Sequence, residues 1–331
     1  MEGVKLLIAK DRSIPKEIKI YEAIVRRLSV NHPRKVEFEN KLFRKRAGYK
    51  GEKELDYHIT QINHSKFTIL HDIRIPHNDT HFQIDTLFIS NSLMIPIDSK
   101  YYAGTLEFHP EFNQMIQYLN GSEKVYPDPI LQTKIQARQL KAFLKSHQFF
   151  SPPLEPLVAI TNSQALIKNP TQNKEVSQRV FKSPGIFYKI NPYLEKYQKE
   201  IISDQEIKKV VKLLLKKNNP YIPDLKILNL PYGELQKGVE CPACNTIGME
   251  KFHSLWGCKK CGHTSKDAHV AALKDYFLIN GQSITNGQFR DFLGISSVHQ
   301  ARRMLSQLDL NISGEKKGRV YTPGKRFPLW D

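Results

Sequence analysis

All four cysteines of this chain fall between Cys241 and Cys261, and no other feature restricts the possible folds as strongly. Cys241-Pro-Ala-Cys244 and Cys258-Lys-Lys-Cys261 are two C-x2-C knuckles with thirteen residues, 245–257, between them. Two facing knuckles offer four thiolates to one tetrahedral zinc ion, and a shell closed by four protein ligands makes that ion structural. Gly262 follows directly, with the backbone freedom such a turn needs. A pair of redox dithiols is the alternative, but no thioredoxin-like βαβ pattern surrounds them. Scattered disulfides are excluded and a reducing compartment is expected. His253 and His263 are then left as surface residues.

The chain carries a formal net charge of +17, from 50 Lys+Arg against 33 Asp+Glu in 331 residues. That surplus favours a polyanionic partner, because each neutralised phosphate releases condensed counterions. A soluble basic protein without such a partner is the plainer alternative. No apolar run reaches the roughly 18 residues that a membrane span needs. The apolar stretch Val4–Ala9 between single lysines is too short for a secretory signal core followed by a cleavage site. A cytoplasmic protein with no membrane partner is expected.

Two β-rich runs, His81–Ser90 and Leu93–Lys100, flank Asn91-Ser92 and read as a hairpin. With a two-residue loop, Ser90 pairs with Leu93, Asp85 falls opposite Asp98 and Gln83 falls opposite Lys100. Period two then places Asp98 and Lys100 on one face. A four-residue loop keeps this register and an odd one breaks it. Opposed carboxylates repel unless a cation sits between them, and hard oxygens suit Mg²⁺ or Mn²⁺. Such an ion activates a bound water and polarises a phosphoryl oxygen. The lysine can orient that water or stabilise developing charge. The alternative is an ordinary hairpin with polar residues at its mouth, and Pro96 argues against a fully paired central strand.

Phe43 to Ile62 carries a helical pattern despite Gly48 and Gly51. Glu52 shares a stripe with Leu55, Ile59 and Ile62. A carboxylate on a buried face is costly without a partner, so Glu52 is the third acidic candidate, unless it sits at the rim with its head in water. Glu54, near the opposite face with His58 and Gln61, is expected to be solvated. In a second helical pattern, Pro129–His147, Gln132, Gln136, Gln139 and Phe143 share a face. Those glutamines either support the lysine or a phosphate, or form polar surface.

Gly51-Glu52, Gln83-Ile84-Asp85, Asp98-Ser99-Lys100 with Gly104 shortly after, and Gln132 together resemble the nuclease-related domain (NERD) family, a branch of the PD-(D/E)XK nuclease-like fold. The resemblance covers about residues 35 to 162, with Leu157–Thr161 as a later core strand. It implies an α/β, restriction-endonuclease-like core with a mixed sheet flanked by helices, a divalent-metal site and a role in DNA processing. By that pattern Glu52, Asp85, Asp98 and Lys100 are the active-site residues, supported by Gln132. Where the family usually has Glu-x-Lys, this chain has Asp98-Ser-Lys100, whose acid is one methylene shorter.

Beyond the cysteines, Asp267–Ile279, Thr285–Leu293 and Ser296–Leu308 read as three short helices, with Thr285 and Ser296 as N-caps. Leu293-Gly294-Ile295-Ser296 forms a helix-turn-helix style corner. On the third helix Val298, Ala301, Leu305 and Leu308 are expected to face the core, leaving His299, Gln300, Arg303 and Gln307 outward for a groove or phosphates. Lys316, Lys317 and Arg319 fall on a hairpin wing before Tyr321. This part resembles a winged helix-turn-helix; a small helical cap that binds protein is the alternative.

Five segments result: an N-terminal helical extension (1–34), the nuclease-related domain (35–162), a helical and linker region punctuated by Asn-Pro (163–235), a four-cysteine zinc ribbon (236–266) and the winged-helix-like domain (267–331). The expected function is Mg²⁺- or Mn²⁺-dependent hydrolysis of DNA phosphodiesters. Glu52, Asp85 and Asp98 hold the metal, Lys100 positions the attacking water, and the tail recruits the duplex. The alternatives are a non-catalytic nucleic-acid-binding protein that keeps the fold, or a protein-interaction adaptor.

Overall fold

Alternating strand runs and helical stripes order the chain as seen in a computed structural model that describes residues 7–61, 67–225, 228–327 and 329–330. It begins with β1 (Leu7–Lys10), α1 (Lys16–Arg27) and α2 (Lys35–Thr60). Next come β2 (Thr68–His77), β3 (Thr80–Ile89), β4 (Met94–Lys100), β5 (Thr105–His109), β6 (Gln114–Leu119), β7 (Ser122–Pro127) and α3 (Pro129–Ser146). β8 (Leu157–Ile160), β9 (Leu166–Lys168), α4 (Lys174–Arg179), β10 (Val180–Lys182), α5 (Ile186–Lys196) and α6 (Asp204–Lys217) follow. The chain divides into two units: residues up to Ile14 with Arg46–Tyr221, and Pro15–Lys45 with Ile222 onward. The segment before residue 35 thus contributes to both, and it includes a strand as well as a helix.

In the first unit a mixed sheet runs β1-β2-β3-β4-β8-β10. On one face Leu55 and Ile59 of α2 and Ile186 and Ile190 of α5 pack on Phe67, Ile69, Phe88, Ile95 and Ile97. On the other, Leu140, Phe143 and Leu144 of α3 and Val210 and Leu214 of α6 cover Leu70, Ile75, Phe82 and Ile84. A second sheet, β7-β6-β5-β9, adjoins it in the same unit. Strand β4 is central, between β3 and β8, and it contains Pro96. The position is tolerated for a reason that follows from the register. Ser90 N–H donates to Leu93 O at 2.9 Å, and bonded and non-bonded pairs alternate from there. The Leu87–Pro96 pair therefore needs no N–H from proline.

The second unit contains α1 and, after the first unit ends, β11 (Val239–Glu240), β12 (Ile247–Phe252), β13 (Leu255–Gly257), β14 (Thr264–Ser265) and α7 (Ala268–Asn280). It ends with β15 (Ile284–Thr285), α8 (Asn286–Leu293), α9 (Val298–Ser306), β16 (Leu310–Ser313) and β17 (Val320–Pro323). β11 to β14 form one small sheet in sequence order, and β15-β17-β16 form another. Thr285 and Gln288 make a capping box on α8, and Gly294, at φ 71°, ends it. On α9 the cap is Ser297, not Ser296. Val298, expected in the core, is 52% exposed, and Met304 joins Ala301 and Leu305 inside. With the cap one residue later, Val298 is the first helical residue, and the buried stripe starts a turn further on.

Gly51 sits in α2 where an added Cβ would lie 2.4 Å from Thr161 Oγ1 and 2.8 Å from Tyr101 Cβ. Glycine there lets the helix approach closely enough to bring Glu52 alongside the strands. Gly51→Ala is expected to lower stability, because overpacking of about 1–3 kcal/mol exceeds the roughly 1 kcal/mol gain in helix propensity. Denaturant melts check this; a variant as stable as the parent would mean the approach is not tight.

Candidate functional site

The β3–β4 ladder extends from Ile89–Met94 to Thr86–Ile97, so its continuation sets Asp85, in the middle of β3, against Asp98, near the end of β4. Asp85 Oδ2 accepts from the Ser99 N–H at 2.9 Å. The Asp85 residue keeps some exposure, but this bond ties its carboxyl group into the protein. Asp98 is 3% exposed. Lys100 Nζ lies 2.8 Å from Asp98 Oδ2 and donates to Gln132 Oε1 of α3 at 3.0 Å. The buried Asp98 Oδ2 thus has the Lys100 ammonium as its partner. Ser99 Oγ is buried without a hydrogen-bond partner, on the opposite face of β4 from Asp98 and Lys100. Two facing carboxyl groups are hard oxygen donors of the kind an Mg²⁺-type ion takes as ligands, with water and phosphate completing the shell.

Glu52 stands differently. Among the described residues the four cysteines are the one set of three or more metal-binding side chains drawn close enough to share an ion; Glu52, Asp85 and Asp98 are not drawn together in that way. The partner that a carboxylate on a buried stripe requires is Arg12, just past β1, whose Nη1 donates to Glu52 Oε2 at 2.7 Å. The same guanidinium donates to Asp56 Oδ2 at 2.7 Å and Oδ1 at 3.0 Å, and to Asp85 O and Thr86 Oγ1 at 3.0 Å each. His71 Nδ1 closes the group, 3.2 Å from Asp56 Oδ1. Ile62, assigned from the sequence to the same stripe, lies outside the described residues.

Arg12 fits there because the β2–β3 ladder is interrupted. His71 pairs with Thr86 and Ile73 with Ile84, while Asp72 and Asp85 between them do not pair. Asp72 has φ 47°, and buried alternation shifts by one across the break, with Phe82 and Ile84 before it and Leu87 and Ile89 after it facing the same cluster. Cations take up the freed carbonyls. Arg12 bonds Asp85 O, and Lys10 Nζ bonds His71 O at 2.7 Å and Asp72 O at 2.9 Å.

Burial raises all three carboxyl groups: Glu52 to about 8, with Asp85 adding to the rise and Arg12 opposing it. Asp85 is raised further by Asp98, and the rise at Asp98 is opposed by Lys100. Burial by itself would lower Lys100, but Asp98 outweighs it and holds the ammonium above its ordinary value.

In the second unit the four cysteine sulfurs lie within 4.8 Å of one another, with Cys241–Cys261 and Cys244–Cys258 at 3.6 Å. Zinc–sulfur bonds of about 2.3 Å in a tetrahedron put sulfurs about 3.8 Å apart, so the four sulfurs can hold one zinc ion. On α9 His299 and Arg303 are exposed and Gln300 is half-buried. Lys316 and Arg319, between β16 and β17, line a hollow with Asn286, Val298 and Arg302. The side chain of Lys317 lies outside what the structure describes. Arg12 and Arg302 are the basic residues that sequence pattern did not single out. A buried stripe carrying Glu52 signalled that a cation was needed, though not which one.

Residues 47–161, about a third of the chain, match the family model of the nuclease-related domain. No curated protein and no solved structure matches the chain. The matched segment contains Glu52, Asp85, Asp98, Lys100 and Gln132, and it begins after Arg12. Among the described residues no helix is long and apolar enough to cross a membrane.

Two outcomes are expected. In metal-free protein, carboxyl groups with raised folded values stabilise the fold at low pH, and that stability is lost as pH climbs from the ordinary carboxylate range through the raised one. Burial raises Asp85 to about 7, and Asp85→Asn cannot ionise, so its melting temperature should gain on wild type as pH rises from about 4 to about 7. A constant difference in EDTA over that range would count against the raised ionisation. Separately, protein purified under reducing conditions should carry one zinc per chain. Chelation or Cys258→Ser should unfold the cysteine module locally, since metal binding supplies much of the folding energy of so small a unit. Elemental analysis and proteolysis around residues 241–261 are the readouts.

Proposed function

We propose that the chain is a Mg²⁺- or Mn²⁺-dependent nuclease that hydrolyses DNA phosphodiesters. The observation that carries this is the meeting of two buried carboxyl groups, Asp85 and Asp98, with the Lys100 ammonium, inside a segment that matches a nuclease-related domain. The mixed sheet with helices on both faces supports a restriction-endonuclease-like, PD-(D/E)XK core. Asp85 and Asp98 are the direct metal ligands and Glu52 completes the acidic set. One or two carboxylates with water and phosphate oxygens are sufficient for such ions. When bound, the ion supplies Lewis acidity and an activated water.

Lys100, fixed by Asp98 on one side and Gln132 on the other, orients the attacking water and stabilises charge developing on the phosphate. Asp98 is shorter than the usual glutamate, and its direct pairing with Lys100 fits a site drawn closer to the strand. In the second unit the succession α7, β15, α8, α9, β16, β17, with the sheet ordered β15-β17-β16, supports a winged helix-turn-helix behind a structural zinc ribbon. His299, Gln300, Arg303, Lys316, Lys317 and Arg319 then contact DNA. Free thiols as zinc ligands suit a cytoplasmic setting.

Asp98→Ala and Lys100→Ala separate the roles. The first should lose Mn²⁺ affinity and turnover together. The second should keep or tighten Mn²⁺ binding, as a competing charge is gone, yet cleave roughly 10²- to 10³-fold more slowly. Calorimetry beside a cleavage assay on single- and double-stranded DNA reads both. Wild-type protein that binds Mn²⁺ and DNA but never cleaves would move the function to non-catalytic nucleic-acid binding.

A further inference from the structure

Arg12 lies ahead of the segment that matches the nuclease-related domain, and it is neither a solvated surface cation nor a simple ion-pair partner. Its side chain is 4% exposed, and its three nitrogens are all engaged, with acceptors on α2 and β3 at once. We propose that Arg12 is a positioning residue for the acidic site: it fixes Glu52 Oε2 against Asp56 and the Asp85 backbone so that the rest of the Glu52 carboxylate faces the ion held by Asp85 and Asp98. The inference rests on the metal-site reading given above.

Three features carry it. First, strand β1 leads directly to this side chain at the sheet edge. It pairs parallel with β2, Leu7 to Thr68 and Ile8 to Ile69, and its register slips between Ile8 and Lys10, just before Arg12. Second, the guanidinium replaces ladder bonds that β2 and β3 forgo around Asp72 and Asp85. The backbone carrying a metal-binding carboxylate is thereby tied to the side chain carrying another. Third, the contact to Asp56 uses two nitrogens of one planar fork, which leaves a fixed direction for the contact to Glu52. Lysine cannot reproduce that geometry. Groups that orient metal ligands in this way usually matter 10- to 100-fold for affinity.

The experiment measures Mn²⁺ affinity of the full chain by calorimetry, with thermal melts alongside, for wild type, Arg12→Gln, Arg12→Lys and Lys10→Gln. Positioning predicts that Arg12→Gln weakens Mn²⁺ binding by about 10- to 100-fold in protein that is still folded, and that Arg12→Lys recovers only part of the loss. Lys10→Gln, which loses bonds to β2 at the same ladder break without touching Glu52, should lower the melting temperature at most and leave Mn²⁺ affinity unchanged. Tighter Mn²⁺ binding in Arg12→Gln would overturn the proposal, since it would make Arg12 a cation that merely competes with the ion. Unchanged affinity would overturn it as well and leave Arg12 a purely structural residue. If Arg12→Gln does not fold, Arg12→Lys decides: wild-type affinity in that variant overturns the proposal. Failure of the metal-site reading looks different, because wild type itself then binds no Mn²⁺.

Discussion

Asp85 and Asp98 face each other because Ser90 and Leu93 bond across a two-residue turn, and the rest of the site is built around the electrostatic cost of that arrangement. Two carboxyl groups that face each other on neighbouring strands repel, and burial penalises their charge. The fold answers with cations brought in from three directions. Lys100 comes from the same strand as Asp98, Arg12 comes from beside the edge strand, and Lys10 covers the backbone oxygens next to them. Burial still raises both carboxyl groups against these cations, and that residual imbalance is the chemically useful one.

How much of this was legible in the sequence depends on the range of the interaction. The hairpin register could be counted from residue 90 outward, since side chains alternate strictly and an even loop preserves parity. The facing of Asp85 by Asp98, with Lys100 on the same face, followed from that count, whereas Gln83, counted opposite Lys100, pairs with Arg74 instead; Gln132 followed from the helical period of α3. Glu52 could be seen as a buried carboxylate in need of a partner, but the partner lies forty positions away, in an irregular stretch just past a strand too short to show a pattern. The break at Asp72 was invisible for another reason: an aspartate at positive φ costs little and leaves no trace in composition. At α9 the choice between Ser296 and Ser297 as cap decided whether Val298 was inside, and both residues cap equally well.

The second unit solves a similar problem by different means. Arg27 is fully buried and its Nε donates to Asp275 Oδ2 at 2.9 Å, while Nη1 reaches Gly238 O at 2.7 Å. Its face covers Phe292, 4.9 Å from the ring centre. A buried pair of this kind contributes little net stability over an apolar substitute, but losing one partner strands a charge. It therefore fixes how α1 meets α7 and the start of the cysteine module. Trp256, whose Nε1–H donates to His269 at 3.2 Å, joins that module to α7 within the same core.

The division at Ile14, Lys45 and Tyr221 has a consequence for the order of events on the ribosome. Strand β1 is synthesised well before its neighbour β2, which emerges only after α1 and α2 have passed, so its pairing closes a loop of some sixty residues. Segment Pro15–Lys45 waits longer still, since the rest of its unit begins at Ile222. Contacts this distant in sequence form slowly, because closure entropy is lost before they reward it. Nascent chains therefore carry an exposed amphipathic α1 throughout synthesis of the sheet and an unpaired β1 until β2 emerges, and the facing carboxyl groups stand without Arg12 until residues made long before them return to them.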